Sequence, residues 1–176
     1  MSGEPHLSKL TCCRASTVLV MGTRGGYVGV VAASPSTACK GGVMSYARQL
    51  LDSYQGTVNV DVALLAAAID AIIDCAQACT ADNDADLGER DVTEMVRCIR
   101  LCTDCADVCT VAARVISRPA GYDADVARPL LQACVAICKS CGDECERHAH
   151  MPHCRVCAEA CRRCEQACGE LLDAMK

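Results

Sequence analysis

Cys98-Ile-Arg-Leu-Cys102-Thr-Asp-Cys105-Ala-Asp-Val-Cys109 places four cysteines at i, i+4, i+7 and i+11. At 100° per residue an α-helix gathers these positions into a stripe about 60° wide, where an ordinary amphipathic helix carries Leu or Ile. The spacing returns at Cys134, Cys138, Cys141 and Cys145, and at Cys157, Cys161, Cys164 and Cys168, with Cys154 one step ahead of the last series. Cys75 and Cys79 make a shorter version. The pattern predicts an all-α fold: an antiparallel up-down-up-down four-helix bundle whose core is partly built of sulfur.

Working outward, the first long helix is expected from Asp61 to about Ala81, with Leu64, Ala68, Ile72, Cys75 and Cys79 on one face. Asp82 to Gly88 reads as a solvated polar turn, and it lacks the Gly and Glu of an EF-hand calcium loop. Asp91 with Glu94 three residues on resembles a capping box, opening a second helix that ends near Ser117, before Pro119 and Gly121. The third helix starts at Asp123 or Asp125 and ends near His148; Pro129 is tolerable if the start is late and kinks the helix if it is early. Met151-Pro152 is a turn that sets Pro at the start of a fourth helix reaching about Ala174.

Ahead of the bundle, Met44 to Gln55 reads as a short additional helix with Ala47, Leu50, Leu51 and Tyr54 on one side. It is expected across one end of the bundle or at a subunit contact. The bundle domain is therefore placed at residues 44–176. Residues 1–43 are rich in Gly, Ser and Thr and have no sustained period; the expectation is a disordered leader, or a start assigned too early with Met44 as the true one. Cys12, Cys13 and Cys39 fall there, outside the expected ligand set.

In this topology the cysteines gather toward the end that holds both short turns. Leu64, Leu65, Ile69, Ile116, Val126, Leu130, Leu171 and Leu172 form an apolar plug at the other end. His148, His150, Met151 and His153 fall at the sulfur end, with Met95 nearby. His148 lies on the face of Cys141 and Cys145, and His153 borders the edge of Cys157 and Cys164. Both join Met95 and Met151 as candidate ligands, whereas His150 points away.

Composition narrows the function. With 18 Cys, four Tyr and no Phe or Trp in 176 residues, sulfur takes the place of large aromatic anchors. A disulfide scaffold does not suit the spacing, because cysteines four apart on one helix have nearly parallel Cβ vectors. Reduced thiols in a reducing cytoplasm suit it better. The net charge of −5 offers no basic field for nucleic acid. No apolar run approaches the length that spans a bilayer. Ser16–Met21 and Tyr27–Ala33 are apolar, but Arg24-Gly25-Gly26 interrupts what would be a signal core. No nucleophile is paired with a base and no Gly-rich phosphate loop precedes a helix, so no enzyme activity is expected.

Soft thiolates select Cu(I), Zn(II) or iron–sulfur clusters. A closed structural zinc site uses four ligands once, far fewer than these helices carry. Cu(I) accepts two or three thiolates, and bridging thiolates let a ladder of pairs hold a chain of ions. Cys98-x3-Cys102-x2-Cys105 also matches the cluster motif of radical S-adenosylmethionine enzymes, but here it follows from helical periodicity. The reading is a store for many Cu(I) ions per chain, with a zinc or other soft-metal reservoir and a thiol/disulfide redox protein as alternatives.

Seven Cys-x-x-x-Cys pairs (75/79, 98/102, 105/109, 134/138, 141/145, 157/161, 164/168) plus Cys154 make residues 44–176 similar to the copper storage protein family. The resemblance implies Cu(I) held in the bundle core, uptake through the end bearing His and Met, a homotetramer and the cytosolic type. Copper ions are then the cargo, with a copper chaperone or a small-molecule thiol as possible donor. One departure is plain: continuing the first ladder would put sulfur at 82 and 86, where Asp82 and Asp86 stand.

Overall fold

A computed structural model describes residues 44–175, so Cys12, Cys13, Cys39 and the expected leader lie outside the described residues. The elements are α1 (Tyr46–Ser53), α2 (Val62–Leu87), α3 (Val92–Ile116), α4 (Ala124–Arg147) and α5 (Pro152–Ala174). Local chemistry starts most of them. Ser45 Oγ accepts from Arg48 N at α1, the Asp61 carboxylate accepts from Ala63 N and Leu64 N at α2, and Asp123 accepts from Asp125 N at α4. Pro152 fills the first turn of α5, where its missing N–H costs nothing. The expected capping box does not form: Asp91 makes no side-chain cap bond, and only its carbonyl accepts from Glu94 N.

α2, α3, α4 and α5 pack in cyclic order, each against its two neighbours, and α1 packs on α2. The end of α2 meets the start of α5 through Asp82 and His153, while Tyr122 and Arg128, at the start of α4, reach Met175 beyond the end of α5. The four long helices therefore run antiparallel in the expected order. α1 buries its Leu51 and lies beside Ile69 and Pro119, across the apolar end. Gly121, with φ +70°, turns the chain between α3 and α4 in the left-handed region that L side chains avoid. Pro129 lies well inside α4, which begins at the earlier of the two expected starts.

Two expectations need correction. α2 does not stop near Ala81: it continues to Leu87, and the segment read as a solvated turn is its last two turns. Asp82 and Asp86 are buried at 2% and 0% exposure because they continue the inward stripe of Leu65, Ala68, Ile72, Cys75 and Cys79. The apolar end is built from Leu65, Ile69, Ile116, Leu131 and Leu171, with Leu64, Leu130 and Leu172 partly buried against them. Val126 is exposed and takes no part.

Candidate metal centre

Each long helix sends one stripe inward, and the register of the stripes sets the chemistry. Cys75, Cys79, Cys98, Cys102, Cys105, Cys109, Cys134, Cys138, Cys141, Cys145, Cys154, Cys157, Cys161, Cys164 and Cys168 are all buried and free. None is more than 1% exposed. No disulfide joins them.

The thiols lie close enough to share ions. Cys102 and Cys141 are 3.6 Å apart, Cys79 and Cys157 3.6 Å, Cys75 and Cys138 3.7 Å, and Cys98 and Cys145 3.7 Å. Four sulfurs each about 2.3 Å from one ion have edges of about 3.8 Å, so these spacings are already those of metal-sharing thiolates. Among the described residues, sets of four donors within 4.8 Å of one another include Cys75, Cys109, Cys138 and Cys164; Cys75, Cys79, Cys105 and Cys161; Cys79, Cys141, Cys157 and Cys161; Cys102, Cys141, Cys145 and Cys157; and Asp82 with Cys98, Cys102 and Cys145. Consecutive sets overlap in Cys75, then in Cys79 and Cys161, then in Cys141 and Cys157, then in Cys102 and Cys145. The core is one continuous ladder whose rungs share ligands.

Ionising this core without metal is unfavourable. Burial pushes the Cys154 thiol up, and the nearby Asp82 and Asp86 carboxylates add to it. Hydrogen bonds from Cys102 and other thiols, with burial, push Cys79 up. A thiol must lose its proton to ligate as a thiolate, so the ions that enter displace protons from the ladder.

At the sulfur end Asp82 does what a surface aspartate could not. Its Oδ2 accepts from Cys102 at 3.3 Å and Cys145 at 3.6 Å, while its Oδ1 lies 2.7 Å from His153 Nδ1. His153 Nε2 faces Glu89 Oε1 at 3.2 Å. Burial works to lower the His153 pKa, but the bonds to Asp82 and Glu89 outweigh it and the net shift is upward. Asp86 is pushed up to about 7, first by burial and then by Cys98.

Of the other candidates, His153 reaches Cys154 Sγ at 3.4 Å, Met95 is buried in the core and Met151 is half-buried against it. His148 turns to Glu144 on its own helix at 3.6 Å. His150 is exposed, as expected. Reading the sequence missed Asp82, Asp86 and Glu89 as parts of the centre. The available signal was the register itself, since 75, 79, 82 and 86 repeat the i, i+4, i+7, i+11 spacing of the other helices.

The comparisons agree with this geometry. A family model described as Copper storage protein matches residues 62–173. An uncharacterized cysteine-rich protein, YhjQ of Bacillus subtilis (strain 168), is 36% identical over 105 residues, covering 60% of this chain and 93% of that protein. The structure of the copper storage protein Ccsp from Streptomyces lividans, loaded with 10 copper equivalents, is similar with a TM-score of 0.71 at 55% identity, over 73% of this chain and 98% of that one. A structure of a cytosolic copper storage protein from Streptomyces lividans with five coppers gives a TM-score of 0.62 at 59% identity, over 63% of this chain and 93% of that one.

Proposed function

Because the chain belongs to the copper storage protein family, we infer that it stores copper, holding many Cu(I) ions as thiolate clusters in the bundle core. It is a cytosolic, non-catalytic binding protein. The observation that carries this reading is the overlap of the donor sets. A thiol that belongs to two sets can bridge two ions, so the ladder fills as connected clusters instead of isolated sites. Each Cu(I) adds one positive charge where thiol protons leave, and the net charge buried in the core stays small.

The fifteen bundle cysteines are the proposed ligands, assisted by His153, His148, Met95 and Met151 at the sulfur end. His153 is the best supported of these four, since its ring stands beside Cys154 and is partly open to solvent. His148 must leave Glu144 to serve. Delivery by a copper chaperone or a small-molecule thiol fits an end whose histidine is reachable and whose sulfurs are not. The homotetramer rests on family resemblance.

Anaerobic titration of the reduced protein with Cu(I) against a strong chelator tests the reading. Binding well beyond two ions per chain is expected; saturation at one or two would defeat storage. Exchanging His148 and His153 for Ala is expected to slow loading more than it lowers capacity.

A further inference from the structure

Gly142 sits inside α4, between Cys141 and Asp143, and it is buried. Glycine is a weak residue for a helix interior, so its place here needs a physical reason. That reason lies on α5. A Cβ at Gly142 would stand 3.2 Å from Arg162 Cζ and Nη1 and 3.3 Å from Cys161 Cβ. Contacts this short force a neighbour to give way by a few tenths of an ångström. The bare backbone therefore lets α5 approach α4 more closely than a side chain at 142 would allow.

The guanidinium laid across Gly142 is pinned. Arg162 Nε donates to Glu146 Oε1 at 2.8 Å, Nη1 donates to Glu165 Oε2 at 3.0 Å and to Lys139 O at 3.4 Å, and Nη2 donates to Asp143 Oδ1. Lys139, Asp143 and Glu146 belong to α4 and Glu165 to α5, so one planar fork ties the two helices. It cannot swing aside without releasing these partners. We propose that Gly142 and Arg162 are positioning residues for the rung of Cys79, Cys141, Cys157 and Cys161: together they set the α4–α5 spacing at which these thiols share ions. Each stands next in sequence to a thiol of that rung, Gly142 to Cys141 and Arg162 to Cys161.

The rung in question joins the two halves of the ladder. It shares Cys79 and Cys161 with the set of Cys75 and Cys105, and Cys141 and Cys157 with the set of Cys102 and Cys145. Cys79 lies 3.6 Å from Cys157, 3.7 Å from Cys161 and 3.9 Å from Cys141. An ion held there draws one thiolate from α4 and others from α5. Metal–sulfur bonds of about 2.3 Å stretch little, so a small widening of this seam is felt by ions that bridge it. A Cβ at 142 forces that widening, because Cys161 Cβ is fixed to the α5 backbone and Arg162 is held by three carboxylates. Copper storage is the premise here, and Gly142 and Arg162 add to it what keeps α4 and α5 at the spacing it requires.

The test is anaerobic competition between the reduced full chain and a strong Cu(I) chelator, run on Gly142→Ala beside Gly169→Ala. Gly169 lies inside α5 next to Cys168, and no neighbouring atom is within 4 Å of a Cβ there. The same helix-favouring change is thus made without crowding. Gly142→Ala should weaken a subset of the ions about tenfold or more, as loss of the support behind metal ligands does, while the rest bind as in the parent. Gly169→Ala should leave every ion unchanged. Arg162→Lys keeps the charge but not the fork, and should weaken the same subset by less. Parental affinity for every ion in Gly142→Ala would overturn the proposal. So would the same loss in Gly169→Ala, or an equal weakening of all ions, which is what a merely destabilised bundle gives. Should Gly142→Ala not fold, Arg162→Lys decides: weakening of a subset supports the positioning role, and unchanged affinity or equal weakening overturns it. A parent chain that saturates at one or two ions removes copper storage alone. Positioning then stands if those ions weaken in Gly142→Ala and not in Gly169→Ala, and falls otherwise.

Discussion

The two ends of the bundle are equally buried and chemically opposite. At one end Leu65, Ile116, Leu131 and Leu171 are sealed at 1% exposure or less. At the other, Asp82, Asp86, Cys98 and Cys154 are sealed as tightly. α2 spans both, passing from Leu65 through Cys75 and Cys79 to Asp86 along one unbroken stripe. Burial alone therefore does not mark the functional end. The apolar end gains free energy from every side chain it hides, while the sulfur end hides groups that water would solvate well. The first end holds the helices together; the second keeps its donors at a desolvation cost that a bound ion would offset.

That contrast can be broken most directly at the apolar end. Leu65→Ala should destabilise the metal-free protein by about 2–5 kcal/mol in urea unfolding while leaving Cu(I) capacity unchanged. A fall in capacity with stability intact would invert the division of labour between the ends.

The next largest effect is the pH dependence that Asp86 brings to the sulfur end. Its folded-state pKa is raised from 3.8 to about 7, so between those values the folded chain keeps a proton that the unfolded chain has lost. The contribution of this group to the stability of the metal-free protein is then largest below about pH 4, falls as pH rises toward 7 and levels off above it. The drop contributed by this group is on the order of 2–4 kcal/mol. Unfolding curves for Asp86→Asn against the parent should show that slope removed.

Within the ladder, Cys138→Ala removes a thiol 3.7 Å from both Cys75 and Cys109. A small buried side chain is lost, so the metal-free protein should weaken by only about 1–2 kcal/mol. Metal analysis after saturation should nevertheless show copper lost from the rung that Cys138 shares with Cys75, Cys109 and Cys164. The smallest effect is expected at the turn on the apolar end. Gly121→Ala meets no neighbouring atom, yet it forces a side chain into the left-handed region, costing about 1 kcal/mol in stability and nothing in copper binding.

Much of this was legible without coordinates. The helices, their order and the inward cysteines follow from a spacing that only an α-helix turns into a stripe. The reading failed at Asp82–Gly88, where a run of aspartates looked like solvent-facing chain. Composition said turn and register said helix; the register prevailed because Asp82 found His153 and three thiols to accept from. The capping box failed in the opposite sense, since Asp91 had the right residue type and spacing but makes no side-chain bond.

The sequence by itself determined that fifteen thiols face inward on four antiparallel helices and that soft metal chemistry follows, because helical periodicity is a local property of the chain. Only the tertiary structure decided which thiols from different helices share a rung, and that two aspartates from α2 close the sulfur end beside a histidine of α5. Those relations join residues as far apart as Asp82 and His153, and they depend on how the helices are offset when their side chains interlock. No spacing along a single helix carries that information.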